Sequence, residues 1–187
     1  RANGAEGPAR GIISPHHRIE VIRSGMDLSP FFVRRGDQRG ARHRLAVAPS
    51  TPLFVCIANL KPQKDPLTVV LAFDELRKTR PDAQLWYVGD GPLKSRVVAE
   101  LDARGLTPSF RLLGWRDDVP DLMAAADVIV LGSRFEGLPR TAVQAVAVGR
   151  PFVGTRVDGT PEIIRARRDG FLVEPRHPAA LGRAMRR

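Results

Sequence analysis

The sequence predicts a doubly wound α/β domain on a mostly parallel sheet, and three observations carry that prediction. Apolar runs of strand length recur along the chain, each run is continuous rather than alternating, and each is followed by apolar residues at helical spacing. A strand with one wet face alternates, so a continuous run marks a strand covered by helices on both faces. Strand, turn and helix repeated in that order is the pattern of parallel strands joined by crossover helices.

Residues 1–50 are rich in Gly, Pro, Arg and Ala, with one apolar stretch, "IEVIRSGMDLSPFF", between polar turns. They read as a connector carrying one short strand. From residue 51 the texture changes. "LFVCIANL" is a strand and "PQKDP" breaks it. "LTVVLAFDELRK" follows as a helix, with Val69, Ala72, Phe73 and Leu76 on one face. The unit repeats as "AQLWYVG" with "PLKSRVVAELDARG", "SFRLLG" with "VPDLMAAA", and "DVIVLGS" with "RTAVQAVAV". "PFVGT", "TPEIIRARRDG", "FLVEP" and "HPAALGRAMRR" complete it, so residues 51–187 form one domain. The chain opens on Arg1 and ends within a helical pattern, and it reads as a piece of something longer.

Composition narrows the function classes. With 187 residues and 43% hydrophobic content, the chain can bury one substantial core. The formal charge of +10 fits a nucleic acid, an anionic membrane or a nucleotide diphosphate. Of the 30 basic residues only Lys61, Lys64, Lys78 and Lys94 are lysines, and the arginines are scattered through nearly every segment. That is compositional bias rather than a binding face, and it ranks nucleic acid last. Cys56 is the one cysteine, a strand filler, which favours a reducing compartment. His16, His17, His43 and His177 take no metal-ligand spacing, and no run of about 18 apolar residues marks a membrane span.

In an open parallel sheet, ligands bind beyond the carboxyl ends of the strands, at helix N-termini. The loops there are therefore the candidate site. "NLKPQKD" places Asn59, Lys61 and Lys64 at that edge, where a lysine can pair with a diphosphate. In "VGDGP", Gly89 and Gly91 either make a tight turn or admit a nucleotide to the backbone; the residues leave both open. "RFEGLPRTAVQAVAVGRP" is the most informative stretch. Pro139 suits a helix start, Gly149 a helix end, and the apolar helix between them is expected to be buried, its first amides facing the site near Leu138 to Thr141. Glu136 either accepts hydrogen bonds from a sugar or complements the helix dipole, while Gln144 either reaches a ribose or is a core amide bonded to backbone. In "VDGTPEII", Thr160 is expected to cap a short helix, with Glu162 serving that cap.

These motifs, in this order, resemble the C-terminal, donor-binding domain of a family 4 (group 1) glycosyltransferase with the GT-B fold. The resemblance covers about residues 19–187. "VIRSGMD" is similar to the family's "IPNGVD", "IANLKPQKD" to "VGRLxPxKG", "YVGDGP" to "IVGDGP", "FRLLGW" to "VxFLG", and "SRFEGLPRTAVQAVAVGRPFVGTRVDGTPEII" to "SxxEGFGLxxxEAMAxGxPVVATxxGGxPEII". It implies a Rossmann-like sheet and a nucleotide-diphospho-sugar as donor, transferred with retention and without a metal or other cofactor. The catalytic residues it implies are Glu136 on the sugar and Lys64 on the diphosphate. The implied donor contacts are Asn59, Gly89, Gly91, Trp115, Arg116, Gly137, Leu138, Pro139, Arg140 and Gln144, with the "GWRD" loop at the base.

The chain departs from the family pattern at three positions. Asn59 stands where the family's arginine is expected, which makes Arg134 or Arg140 the candidate replacement charge. Gln144 replaces the second glutamate of the acidic pair, and Pro139 replaces the second glycine of "EGFG". The partners implied are a nucleotide sugar and a glycan, lipid or small-molecule acceptor held by an N-terminal domain missing here, so this piece alone is expected to bind donor without transferring it. A cytoplasmic location with peripheral contact at the inner face of the membrane fits the charge. The alternatives are a nucleotide- or anion-binding module without turnover and a GT-B-fold nucleotide-sugar epimerase.

Overall fold

The computed structural model describes residues 25–187. The strand expected in "IEVI", most of "VIRSGMD", and His16 and His17 lie outside the described residues. Six strands form one sheet: β1 (Leu53–Ile57), β2 (Gln84–Val88), β3 (Phe110–Gly114), β4 (Val128–Leu131), β5 (Phe152–Thr155) and β6 (Gly170–Val173). Their spatial order is β3-β2-β1-β4-β5-β6, and every pairing is parallel. This is the doubly wound, Rossmann-like sheet that the continuous apolar runs predict.

The strand order fixes where the helices go. Steps from β1 to β2 to β3 move one way along the sheet, and steps from β4 to β5 to β6 move the other. Right-handed crossovers therefore send α3 (Pro66–Arg77) and α4 (Lys94–Ala103) to one face and α6 (Arg140–Val148) to the other. Helix α8 (Pro178–Met185) returns to pack on α3, while α5 (Val119–Ala125) packs beside α6. Between them the strand cores Val55, Leu85, Ile129 and Phe152 are fully buried. Cys56 is buried with them, and desolvation pushes its thiol up to about 12, so it is filler rather than a reactive group.

Residues 25–50 differ from the extended connector expected. They hold two short helices, α1 (Ser29–Val33) and α2 (Gln38–Arg44), which pack against α6 and α5. Phe31 of α1 enters the core. Arg42 of α2 is 6% exposed and spends every guanidinium nitrogen. Its Nε donates to the Ala125 carbonyl at 2.9 Å, one terminal nitrogen to the Pro49 carbonyl at 2.6 Å, and the other to Asp127 at 2.8 Å. Asp127 also accepts the Leu53 N–H at 2.8 Å, which ties this latch to the start of β1. Periodicity could not reveal α2, because "QRGARHR" carries no apolar stripe.

Arg42→Ala should therefore lower stability by about 2–3 kcal/mol, the scale of lost charge-assisted hydrogen bonds with a half-exposed partner. Urea unfolding of the variant checks it; a loss below about 0.5 kcal/mol would show that α2 is not latched through this residue.

Candidate functional site

The topological split lies between β1 and β4, whose following segments leave for opposite faces of the sheet. A cleft of about 570 Å³ opens there. Its floor is Ile57, Ala58 and Asn59 at the end of β1 and Val88 and Gly89 at the end of β2, and its sides include Lys64, Trp115, Arg116, Arg140, Thr141 and Gln144. Seven of the predicted site residues thus meet in one place: Asn59, Lys64, Gly89, Trp115, Arg116, Arg140 and Gln144. Pro30 and Phe31 of α1 complete the wall, and sequence reading missed both. The signal available was Pro30, Phe31 and Phe32 at the end of the connector's one apolar stretch.

Helix α6 is aimed into this cleft. Pro139 is its N-cap rather than its first helical residue, and Gly149 ends it in the left-handed region at φ 74°, as expected. Thr141 Oγ1 donates to the Ile57 carbonyl at 2.9 Å, which fastens the helix start to the end of β1. The N–H groups of Gly137, Leu138, Arg140 and Thr141 make no hydrogen bond among the described residues. Four unspent donors at the positive end of a helix are an anion-binding arrangement. Gly137, Leu138 and Pro139 contribute as this loop, not as cleft lining.

The loop around Glu136 is exposed at Arg134, Phe135 and Gly137, as expected, but Glu136 turns its side chain inward. It is 6% exposed, and its Oε1 accepts from Lys64 Nζ and from Ser133 Oγ, both at 2.5 Å. Its own N–H donates to Asp158 at 2.6 Å. The two residues assigned to catalysis are thus an ion pair with each other, behind the cleft wall that Lys64 lines. Gln144 is half-buried and its amide makes no hydrogen bond among the described residues, so it is not a core amide bonded to backbone.

The cations sort themselves by partner. Arg134 pairs with buried Asp65 at 3.0 Å, which raises the guanidinium above its ordinary value, and it lies in a separate pocket with Phe135 and Arg176. Arg116 pairs with Asp118, whose carboxyl that arginine holds below the usual range. Among the described residues, Arg140 is the one cation lining the cleft without a carboxylate partner. Of the two candidate replacement charges, Arg140 lines the cleft and Arg134 does not.

Gly89 and Gly91 are required by close approach. A Cβ on Gly89 would lie 2.2 Å from the Ala58 carbonyl oxygen, and one on Gly91 2.6 Å from that of Leu60. Of the two, Gly89 lines the cleft, while Gly91 packs against the Leu60 backbone. Thr160 is the first residue of the short helix α7 (Thr160–Ile163), and the N-cap is Gly159, not Thr160 as expected. The Gly159 N–H bonds the Gly137 carbonyl at 3.2 Å, so the backbone itself holds that loop.

With this geometry in view, the comparisons with known proteins are specific. Residues 51–187 match the family described as "Glycosyl transferases group 1", and the chain belongs to that family. It is 32% identical over 162 residues to the Escherichia coli UDP-Gal:alpha-D-GlcNAc-diphosphoundecaprenol alpha-1,3-galactosyltransferase, covering 84% of this chain and 41% of that protein. It is 29% identical over 163 residues to the Bacillus anthracis N-acetyl-alpha-D-glucosaminyl L-malate synthase, covering 87% and 42%. The chain thus spans about two-fifths of the curated relatives it matches. Among solved structures, Anabaena Alr3699/HepE in complex with UDP and glucose superposes with a TM-score of 0.79 at 25% identity, over 89% of this chain and 46% of that one. Sucrose-phosphate synthase from Thermosynechococcus elongatus shares the fold with a TM-score of 0.85 at 23% identity, over 98% and 46%.

Gly89→Ala should cost about 2–4 kcal/mol, combining backbone strain with a clash against a carbonyl that cannot move aside. Thermal and urea unfolding measure it, and a variant as stable as the parent would show that the β1 and β2 ends are not in this contact.

Proposed function

We propose that this domain binds a nucleotide-diphospho-sugar and serves as the donor half of a retaining glycosyltransferase. The observation that carries the reading is the meeting of Arg140, Lys64, Gln144 and the N-terminal end of α6, with its unbonded amides, at the split between β1 and β4. Two phosphates need dispersed positive potential, and a helix N-terminus with two cations supplies it without reorganisation. The relative with UDP and glucose in its structure supports UDP as the first nucleotide to try.

In this reading the diphosphate lies against the start of α6, between Arg140 and Lys64. Gln144 donates and accepts at the ribose hydroxyls, and Trp115 with the loop around Arg116 borders the base. Glu136, behind the wall, keeps Lys64 in place through Oε1, which gives it a positioning role for the lysine. As the bond from the anomeric carbon to the phosphate oxygen breaks, the positive charges stabilise the departing diphosphate. The acceptor hydroxyl attacks from the same face and passes its proton to that phosphate oxygen, which preserves configuration. The acceptor is held by protein outside residues 51–187, so these residues alone bind donor without completing transfer.

Calorimetric titration with UDP, GDP and ADP tests the proposal, and one of them should bind. Lys64→Ala and Arg140→Ala should each weaken that nucleotide roughly tenfold, and Gln144→Ala roughly fivefold, in line with charged and neutral hydrogen bonds. Binding of none of the three, or unchanged affinity in both charge variants, would sink the assignment.

A further inference from the structure

A second basic site lies at the opposite edge of the sheet, where β5 and β6 begin. A cavity of about 310 Å³ is lined there by Arg35, Arg150, Arg165 and Arg168, with Asp169 as its one carboxylate. Asp169 is already spent on Arg165, through two hydrogen bonds of 2.7 and 3.0 Å. Among the described residues Arg35, Arg150 and Arg168 make no ion pair within 4.0 Å, although Asp127 attracts Arg150 and Asp169 attracts Arg168 at longer range. The Nε of Arg150 is buried and makes no hydrogen bond among the described residues. An unmade bond at a buried donor costs about 1–3 kcal/mol, more for a charged group. Burial also pulls this guanidinium below its ordinary value.

An ordinary structural account covers only part of this. Helix α6 ends at Gly149, beside the cavity, and its negative end favours a nearby cation. That end carries about half an elementary charge, however, and its last carbonyls already accept the N–H groups of Gly149 and Arg150. It accounts for one arginine, not for four converging on one cavity with a buried N–H left over. The scatter of arginines along this chain does not explain a buried donor without an acceptor either.

We infer that this cavity binds a phosphate group, held by the guanidinium groups of Arg35, Arg150 and Arg168 that line it. Guanidinium groups suit this ligand because their forked donors match phosphate oxygens in pairs. The site is separate from the cleft at the other ends of the strands, and it stands whether or not that cleft binds a nucleotide. The phosphate comes either from a lipid headgroup or from a soluble anion, and both present the same oxygens.

The test is site-specific. Arginine Nε–H resonances are followed by NMR while inorganic phosphate is titrated, with chloride at matched ionic strength as control. The Arg150 resonance, identified by its loss in Arg150→Gln, should shift saturably with phosphate and not with chloride. The double variant Arg35→Gln/Arg168→Gln, confined to exposed residues, should weaken that response roughly tenfold, and Arg183→Gln less than about twofold. In a parallel arm, phosphatidylcholine vesicles containing phosphatidic acid are sedimented with the protein. Retention lost in the double variant assigns the phosphate to a headgroup. Retention absent, or equal in the variant, beside a saturable phosphate response assigns it to a soluble anion. No saturable shift together with no variant-sensitive retention overturns the inference, as does an Arg150 response that the double variant leaves unchanged.

Discussion

The site rests on one ion pair, between Lys64 after β1 and Glu136 after β4, 72 residues apart in sequence. The two segments leave the sheet for opposite faces, and this pair ties their loops together beside the Thr141–Ile57 bond. A carboxylate that is 6% exposed is costly to bury alone, and it is tolerated here because Lys64 and Ser133 both donate to it. Further bonds follow the same seam. The Arg134 N–H bonds the Gln63 carbonyl at 2.8 Å, Gln63 bonds the Phe135 carbonyl at 3.1 Å, and Thr155 Oγ1 bonds the Ser133 carbonyl at 2.5 Å. The loops after β1, β4 and β5 are thereby one connected body. Cleft residues held this way need little reordering when a ligand arrives.

The N-terminal helices serve the same cleft from outside the sheet. Arg42 and Asp127 anchor α2 at the ends where β1 and β4 begin, and Phe31 and Pro30 of α1 reach the wall at the ends where they finish. Residues 29–44 therefore run the length of the domain's face rather than trailing from it. This explains why a segment with little apolar content of its own is ordered: its stability comes from packing and from the latch, not from helix propensity.

The sequence made the strands legible because each is short, apolar throughout and followed by turn chemistry, so strand positions and the doubly wound class could be read directly. Helix α6 was legible from Gly149 behind an apolar run. The remainder depends on contacts distant in the chain. Glu136 looks exposed in "RFEGLP" because nothing nearby reveals that Lys64 will cover it. Arg134 and Arg140 are indistinguishable as candidate charges until Asp65, 69 residues away from Arg134, takes the first of them. Thr160 carries the right side chain for a cap, but the close backbone contact between Gly159 and the Gly137 loop moves the helix start by one residue. Local chemistry was readable; long-range pairing was not.

The two departures from the family's charged pattern are physically linked through Arg140. Asn59 removes a cation from the cleft, and Gln144 removes an anion, so the pair leaves the cleft's net charge where the family pattern would put it. The geometry makes the second change more than bookkeeping. Position 144 lies one turn beyond Arg140 on α6, the spacing at which opposite charges pair along a helix. A glutamate there would stand within reach of the one cleft cation that has no carboxylate partner among the described residues, and would partly quench it. With Lys64 committed to Glu136 and Arg116 to Asp118, a neutral Gln144 is what leaves Arg140 available to a ligand. In the proposed donor-binding reading, the loss of the arginine at 59 is thus matched by the loss of the glutamate at 144, which leaves Arg140 unquenched to face an anion beside Lys64.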